Sequence, residues 1–143
     1  INAVTAQTGM SAFSFGNSAV ASTDVTDANA TGAAGLTIGN NALTINGVSV
    51  NGNGANTTMD DLITNINAKS SETGVTAVRD AGAAANQSRL VLLNRTGAAI
   101  SVTVNDANAA TATGFASGTT SIDAGANGLI VLNDKLNNTT VNY

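Results

Sequence analysis

At 143 residues the chain is long enough to bury one core, but it has no His and no Cys, which removes the imidazole base, the thiolate nucleophile and the common zinc sites. A formal net charge of −4 with only five Lys and Arg argues against nucleic acid or an anionic membrane as a partner, because both need clustered cations. Ala, Asn, Thr and Gly, at 26, 20, 20 and 15 residues, make up more than half of the chain, so no enzyme is expected, and a β-rich domain with polar loops is.

The chain begins "INAVTAQTGMSA", which repeats at 66–77 as "INAKSSETGVTA". Ile1/Ile66, Asn2/Asn67, Ala3/Ala68, Thr8/Thr73, Gly9/Gly74 and Ala12/Ala77 are identical. The expectation is that Ile1 sits at the end of an earlier helix whose first turns lie upstream in a longer parent. Next, "FSFGNSAV" at 13–20 reads as a short strand and "DVTDANATGAAG" at 24–35 as a loop.

The strongest local signal is "ALTINGVSV" at 42–50, where Leu43 and Ile45, then Val48 and Val50, alternate with polar residues around Asn46-Gly47. Both turn positions of a two-residue type I′ hairpin need positive φ, and Asn-Gly supplies them. After it, Met59, Leu62, Ile63 and Ile66 recur at helical spacing, with Thr58 and Asp61 placed as a capping box and Asp60 and Asp61 suited to the positive helix N-terminus. One amphipathic helix is expected over about 58–70, with Lys69 in its last turn and Gly74 beyond it.

Strands are expected at Val75 to Val78, Arg89 to Leu93, Ile100 to Val104 and Leu129 to Leu132, with "RDAGAAANQS", "NRTGAA" and "NDANAATATG" as loops between them. The tail "LNDKLNNTTVNY" reads as a strand or a linker. The fold class is α+β, mainly β: antiparallel strands and hairpins with one helix packed on the sheet. Three segments follow, 1–35 as the end of a preceding repeat with short strands and a loop, 36–105 as an α+β unit, and 106–143 as a β and loop segment of the same domain or of a second one.

Candidate chemistry is thin. Asp24, Asp27 and Asn29 offer hard oxygen ligands but lack the spacing of an EF-hand or a calcium β-roll, and read as a solvated turn. Asp60 and Asp61 point about 100° apart on a helix, which suits capping and not a catalytic dyad. Arg79, Arg89 and Arg95 are too few for a nucleic-acid stripe and read as solvent-facing charges. The Asn-x-Ser/Thr sequons, among them those at Asn56, Asn86, Asn94, Asn137 and Asn138, are about as many as chance gives at this composition. No catalytic, metal or cofactor residue is expected, and no apolar run reaches the length of a membrane span or a signal-peptide core.

The ordered set of an "INGV" hairpin, a "TTMDDLITNINA" helix, "TGVTA" and "RLVL" resembles the IN motif of the variable regions of bacterial flagellins and of some hook-associated proteins. That family's motif is named for Ile-Asn pairs, here Ile45-Asn46 and Ile66-Asn67; the resemblance covers about 42–104 and partly 1–12. It implies structural positions at Ile45, Asn46, Gly47, Ile66, Asn67 and Gly74. It also implies an extracellular, solvent-facing outer domain of a flagellin subunit, contributing to filament surface, antigenicity and motility. Nothing here has the long heptad-bearing helices of a filament core. The expected partners are therefore other flagellin subunits, reached through segments missing from this chain, together with antibodies or host surfaces, and the fragment alone is expected to be monomeric. The alternatives are a hook-associated or filament-cap protein, or a surface adhesin or glycan-binding module. The last is disfavoured because Phe13, Phe15, Phe115 and Tyr143 are too few and scattered to make a sugar platform.

Overall fold

A computed structural model describes residues 3, 7, 10–26, 36–51, 54–126, 129–134 and 140–142. The fold is α+β and mainly β, and all of its described strand pairs are antiparallel. One sheet has the order β11-β10-β5-β6, built from β5 (Leu43–Ile45), β6 (Val48–Val50), β10 (Ile100–Val104) and β11 (Gly118–Ile122). A second is centred on β9 (Gln87–Asn94), which pairs with β8 (Thr76–Ala81) and also with β2 (Asn17–Val20) and β3 (Val25–Thr26). Two smaller sheets join β4 (Leu36–Ile38) to β7 (Gly54–Thr57), and β1 (Met10–Phe15) to β12 (Leu129–Asp134) and β13 (Thr140–Asn142).

The hairpin forms as its sequence dictates, with Ile45 opposite Val48 and positive φ at Asn46 (49°) and Gly47 (80°). Helix α1 (Met59–Ala68) starts on the capping box: the Asp61 N–H donates to Thr58 Oγ1 at 3.1 Å and the Thr58 N–H to Asp61 Oδ2 at 3.0 Å. It buries Met59, Leu62 and Ile66, while Ile63 packs at the edge of the core. Strands β9 and β10 turn Leu90, Leu92, Ile100, Val102 and Val104 towards the same interior. Burying side chains the size of Leu62 or Ile66 contributes about 1.5–3 kcal/mol each. Among the described residues six alanines fill the rest of the core and let backbones approach closely, and Phe115 is the one aromatic there.

Several expectations change. "FSFGNSAV" divides between β1 and β2 at Gly16, whose φ is +61°. Val25–Thr26, expected in a loop, is a strand because β9 offers Ser88 and Gln87 as partners. The α1 helix stops at Ala68, and a separate turn, α2 (Ser70–Thr73), ends on Gly74 in the left-handed region. Strand β8 runs on through Arg79, Asp80 and Ala81, since β9 supplies pairing partners to that point. "NDANAATATG", also expected as a loop, holds helix α3 (Ala107–Thr113), capped by Asp106, which accepts from the Ala109 N–H at 2.7 Å. The strands within 36–105 belong to different sheets, because β10 pairs with β5 and β11 rather than with β9.

Gly114 closes α3 and locks it to the N-terminal part of the chain. Its carbonyl accepts from the Ser22 N–H at 3.0 Å and the Thr23 N–H at 3.1 Å, and from both hydroxyls at 3.1 and 3.2 Å. Its φ is +73°, and a Cβ there would collide with the Thr23 carbonyl oxygen. Gly114→Ala should therefore cost about 2–5 kcal/mol in urea denaturation, from left-handed strain plus overpacking. Gly125→Ala, at φ +72° with nothing near its added Cβ, should cost only the strain, about 1–2 kcal/mol.

Candidate functional site

Both Ile-Asn pairs place a fully buried isoleucine beside an asparagine whose amide does the work of a peptide group. Ile45 and Ile66 anchor the hairpin and α1 in the core. Asn67 Oδ1 accepts from the Ala77 N–H at 2.7 Å, and its Nδ2 donates to the Ala77 carbonyl at 3.1 Å. Among the described residues β8 pairs with β9 alone, so Asn67 occupies the ladder position that a further strand would take at Ala77.

Asn46 joins three elements. Its main-chain N–H donates to the Ser101 carbonyl and its Oδ1 accepts from the Ser101 N–H, both at 2.8 Å, which extends the β5–β10 ladder past its last residue pair. Its Nδ2 donates to the Thr73 carbonyl at 2.8 Å, at the C-terminal end of α2. Gly74 follows at φ +71°, its N–H donating to the Ser70 carbonyl at 2.8 Å, and sends the chain into β8. Asn46 thus ties the hairpin to β10 and to the end of α2, and Asn67 ties α1 to β8.

A second tie is ionic. The Arg89 guanidinium donates through Nε to Asp24 Oδ1 at 2.8 Å and through Nη2 to the same oxygen at 2.6 Å, while the Ala83 N–H donates to Asp24 Oδ2 at 2.7 Å. The Ala83 hydrogen bond and then Arg89 hold this carboxyl below its ordinary value. Asp24 is therefore a clasp between the approach to β3 and the β8–β9 turn, whereas Asp27 and Asn29 lie outside the described residues. Among the described residues no group of three or more His, Cys, Asp or Glu is placed to hold a metal.

The remaining candidates separate. Asp61 caps α1, and Asp60 pairs instead with Arg79 at 2.9 Å, so Arg79 and Arg89 are both ion-paired while Arg95 sits in an exposed turn. The Asn94 sequon is closed, because Asn94 is 3% exposed and its Oδ1 accepts from the Thr96 N–H and hydroxyl. Phe115 is core, the side chains of Phe13 and Phe15 are not among those described, and Tyr143, Asn137 and Asn138 lie outside the described residues. Of the repeated N-terminal stretch, residues 1, 2, 4–6, 8 and 9 also lie outside them, and its last residues enter β1 as 76–77 enter β8. Among the described residues no helix is long and apolar enough to cross a membrane.

Residues 42–97 match the family model of the flagellin hook IN motif. This stretch carries a flagellin-related motif. The match contains both Ile-Asn pairs and ends before Ser101, the partner of Asn46. A search of curated proteins finds no match. The motif is that of flagellin-like structural proteins of the bacterial flagellum, an extracellular filament. Sequence reasoning did not reach Thr73, Ala77 and Ser101 as partners, because each contributes main-chain groups that only the folded register brings near an asparagine.

Asn67→Ala should lower stability by about 1–3 kcal/mol, by leaving both main-chain groups of Ala77 without their partner. Asn46→Gly, which keeps the turn's φ, should cost a similar amount, and Asn46→Ala about 1 kcal/mol more for its left-handed residue; urea denaturation reads all three. Because the Asp24 pKa is lowered on folding, its contribution is complete above the unfolded value of about 3.9 and is lost as pH falls through the lower folded value. The stability gap between wild type and Asp24→Asn should therefore be full at neutral pH and narrow across that acid range.

Proposed function

We propose that this chain is a solvent-facing outer region of a flagellin-like subunit, which shapes the filament surface, meets antibodies and contributes passively to motility. The observation that carries the reading is the flagellin hook IN motif over 42–97, folded here as a β-rich body. Supporting it, no buried side-chain nitrogen or oxygen among the described residues lacks a partner, as suits a rigid protrusion. The longest described helix has ten residues, too short for a filament-core coiled coil. Assembly with other subunits is accordingly assigned to segments other than these, and the chain alone stays monomeric.

The naming of the motif for the hook favours a second reading, a hook-associated or cap protein of the same organelle. The two separate under the electron microscope. Gold-conjugated antibodies against the exposed turn at 83–86 should decorate filaments along their whole length, whereas decoration confined to hook or tip would favour the second reading. Sedimentation velocity of the chain should show a monomer.

A further inference from the structure

Strand β8 pairs with β9 along one edge, and side chains close the other. Asn67 answers both main-chain groups of Ala77, so antiparallel alternation turns Ala77, Arg79 and Ala81 away from β9 and Thr76, Val78 and Asp80 towards it. The Gly82 N–H, which donates to the Gln87 carbonyl at 3.1 Å, continues that alternation. Further along the outer edge the Ala81 N–H donates to Asp80 Oδ1 at 2.9 Å, and the Arg79 guanidinium reaches Asp60 on α1, also at 2.9 Å.

We propose that this edge is a latent docking surface for a second copy of the chain, and that Asn67 is the contact that keeps it closed. The outer face of the sheet sets the register. Val20 and Val78 both pair with Val91, and at 50% and 42% exposure they are the exposed large hydrophobic residues among those described. Two β8 strands laid antiparallel with Val78 opposite Val78 join the two Val20–Val91–Val78 rows into one, with the central valines at a close, non-hydrogen-bonded position. Ala77 then faces Arg79 of the other copy and Thr76 faces Asp80, so no like charges stand directly opposite. The next register along sets Arg79 against Arg79, which is repulsive.

This pairing needs the same two Ala77 groups that Asn67 holds, so the amide and the second copy compete for one ladder position. The amide belongs to the same chain and is placed by the fully buried Ile66 beside it, so it acts at high effective concentration and leaves the intact chain monomeric. A strand of six residues buries far less than the roughly 1,000 Å² of a stable interface, so the opened edge gives a weak, concentration-dependent dimer.

The chain has no cysteine, so a single introduced one reports the pairing cleanly. Under mild oxidation Val78→Cys should form a disulfide-linked dimer at least about tenfold faster when combined with Asn67→Ala than with Asn67 intact, as expected when two competing hydrogen bonds are lost. Val20→Cys, more exposed but away from the edge, should gain nothing from Asn67→Ala. Asn46→Gly, with a similar cost in stability, should leave the Val78→Cys rate unchanged. Asn67→Asp, which keeps an acceptor for the Ala77 N–H but sets a second oxygen against the Ala77 carbonyl, should give an intermediate rate, and circular dichroism verifies that each variant is folded. Val78→Cys rates that neither Asn67 substitution raises, an equal rise at Val20→Cys, or an equal rise with Asn46→Gly would overturn the proposal.

Discussion

A side-chain amide, like a peptide group, offers an N–H donor beside a carbonyl acceptor, and the ties of this fold depend on that likeness. A ten-residue helix and a hairpin of three-residue strands are each marginal in water on their own. What fixes them is burial of Ile45 and Ile66, with the adjacent amides answering main-chain groups of Ser101, Thr73 and Ala77. The apolar contact supplies the drive and the amides supply the register, because a polar group left unpaired at such a junction costs more than a formed bond returns.

The same device recurs across the molecule and gives the unusual composition a physical meaning. Asn17 donates to the carbonyls of Ala98 and Asp123, Asn65 to that of Asn51, and Asn105 to that of Asn41. In a chain without proline, Asn41, Asn46 and Asn86 also take the positive-φ positions that glycine does not fill among the described residues. Alanine has the complementary role: with few large side chains available, small residues let layers pack closely, and close layers bring the asparagines within reach of the backbone they serve. These ties run beyond the matched 42–97 stretch, since β2 and β3 pair with β9 and the Gly114 carbonyl holds Ser22 and Thr23.

The parts of the fold legible in the sequence were those written locally. Asn46-Gly47 between alternating runs, and Thr58 with Asp61 ahead of an apolar stripe, each settle their element within about a dozen residues. Helix α3 escaped notice because its buried face is made of Ala109, Ala112 and Thr113, which carry no hydrophobic period; the cap at Asp106 and the closing Gly114 were its available signals. The division of strands among sheets was not legible at all, since β5 meets β10 across more than fifty residues and nothing in either run names the other. Likewise the motif asparagines could be marked from the resemblance, whereas their partners are anonymous main-chain groups.

The most direct measurement of the amide junction is native-state hydrogen exchange at the Ala77 and Ser101 amides, which donate to Asn67 Oδ1 and Asn46 Oδ1. If the two amides act as ladder positions, both protons should exchange only through opening of the whole body, at the rates of the paired amides in β9 and β10. Exchange as rapid as that of the exposed turn at 84–86 would contradict the account, because the junction would then be opening while the strands around it stay closed.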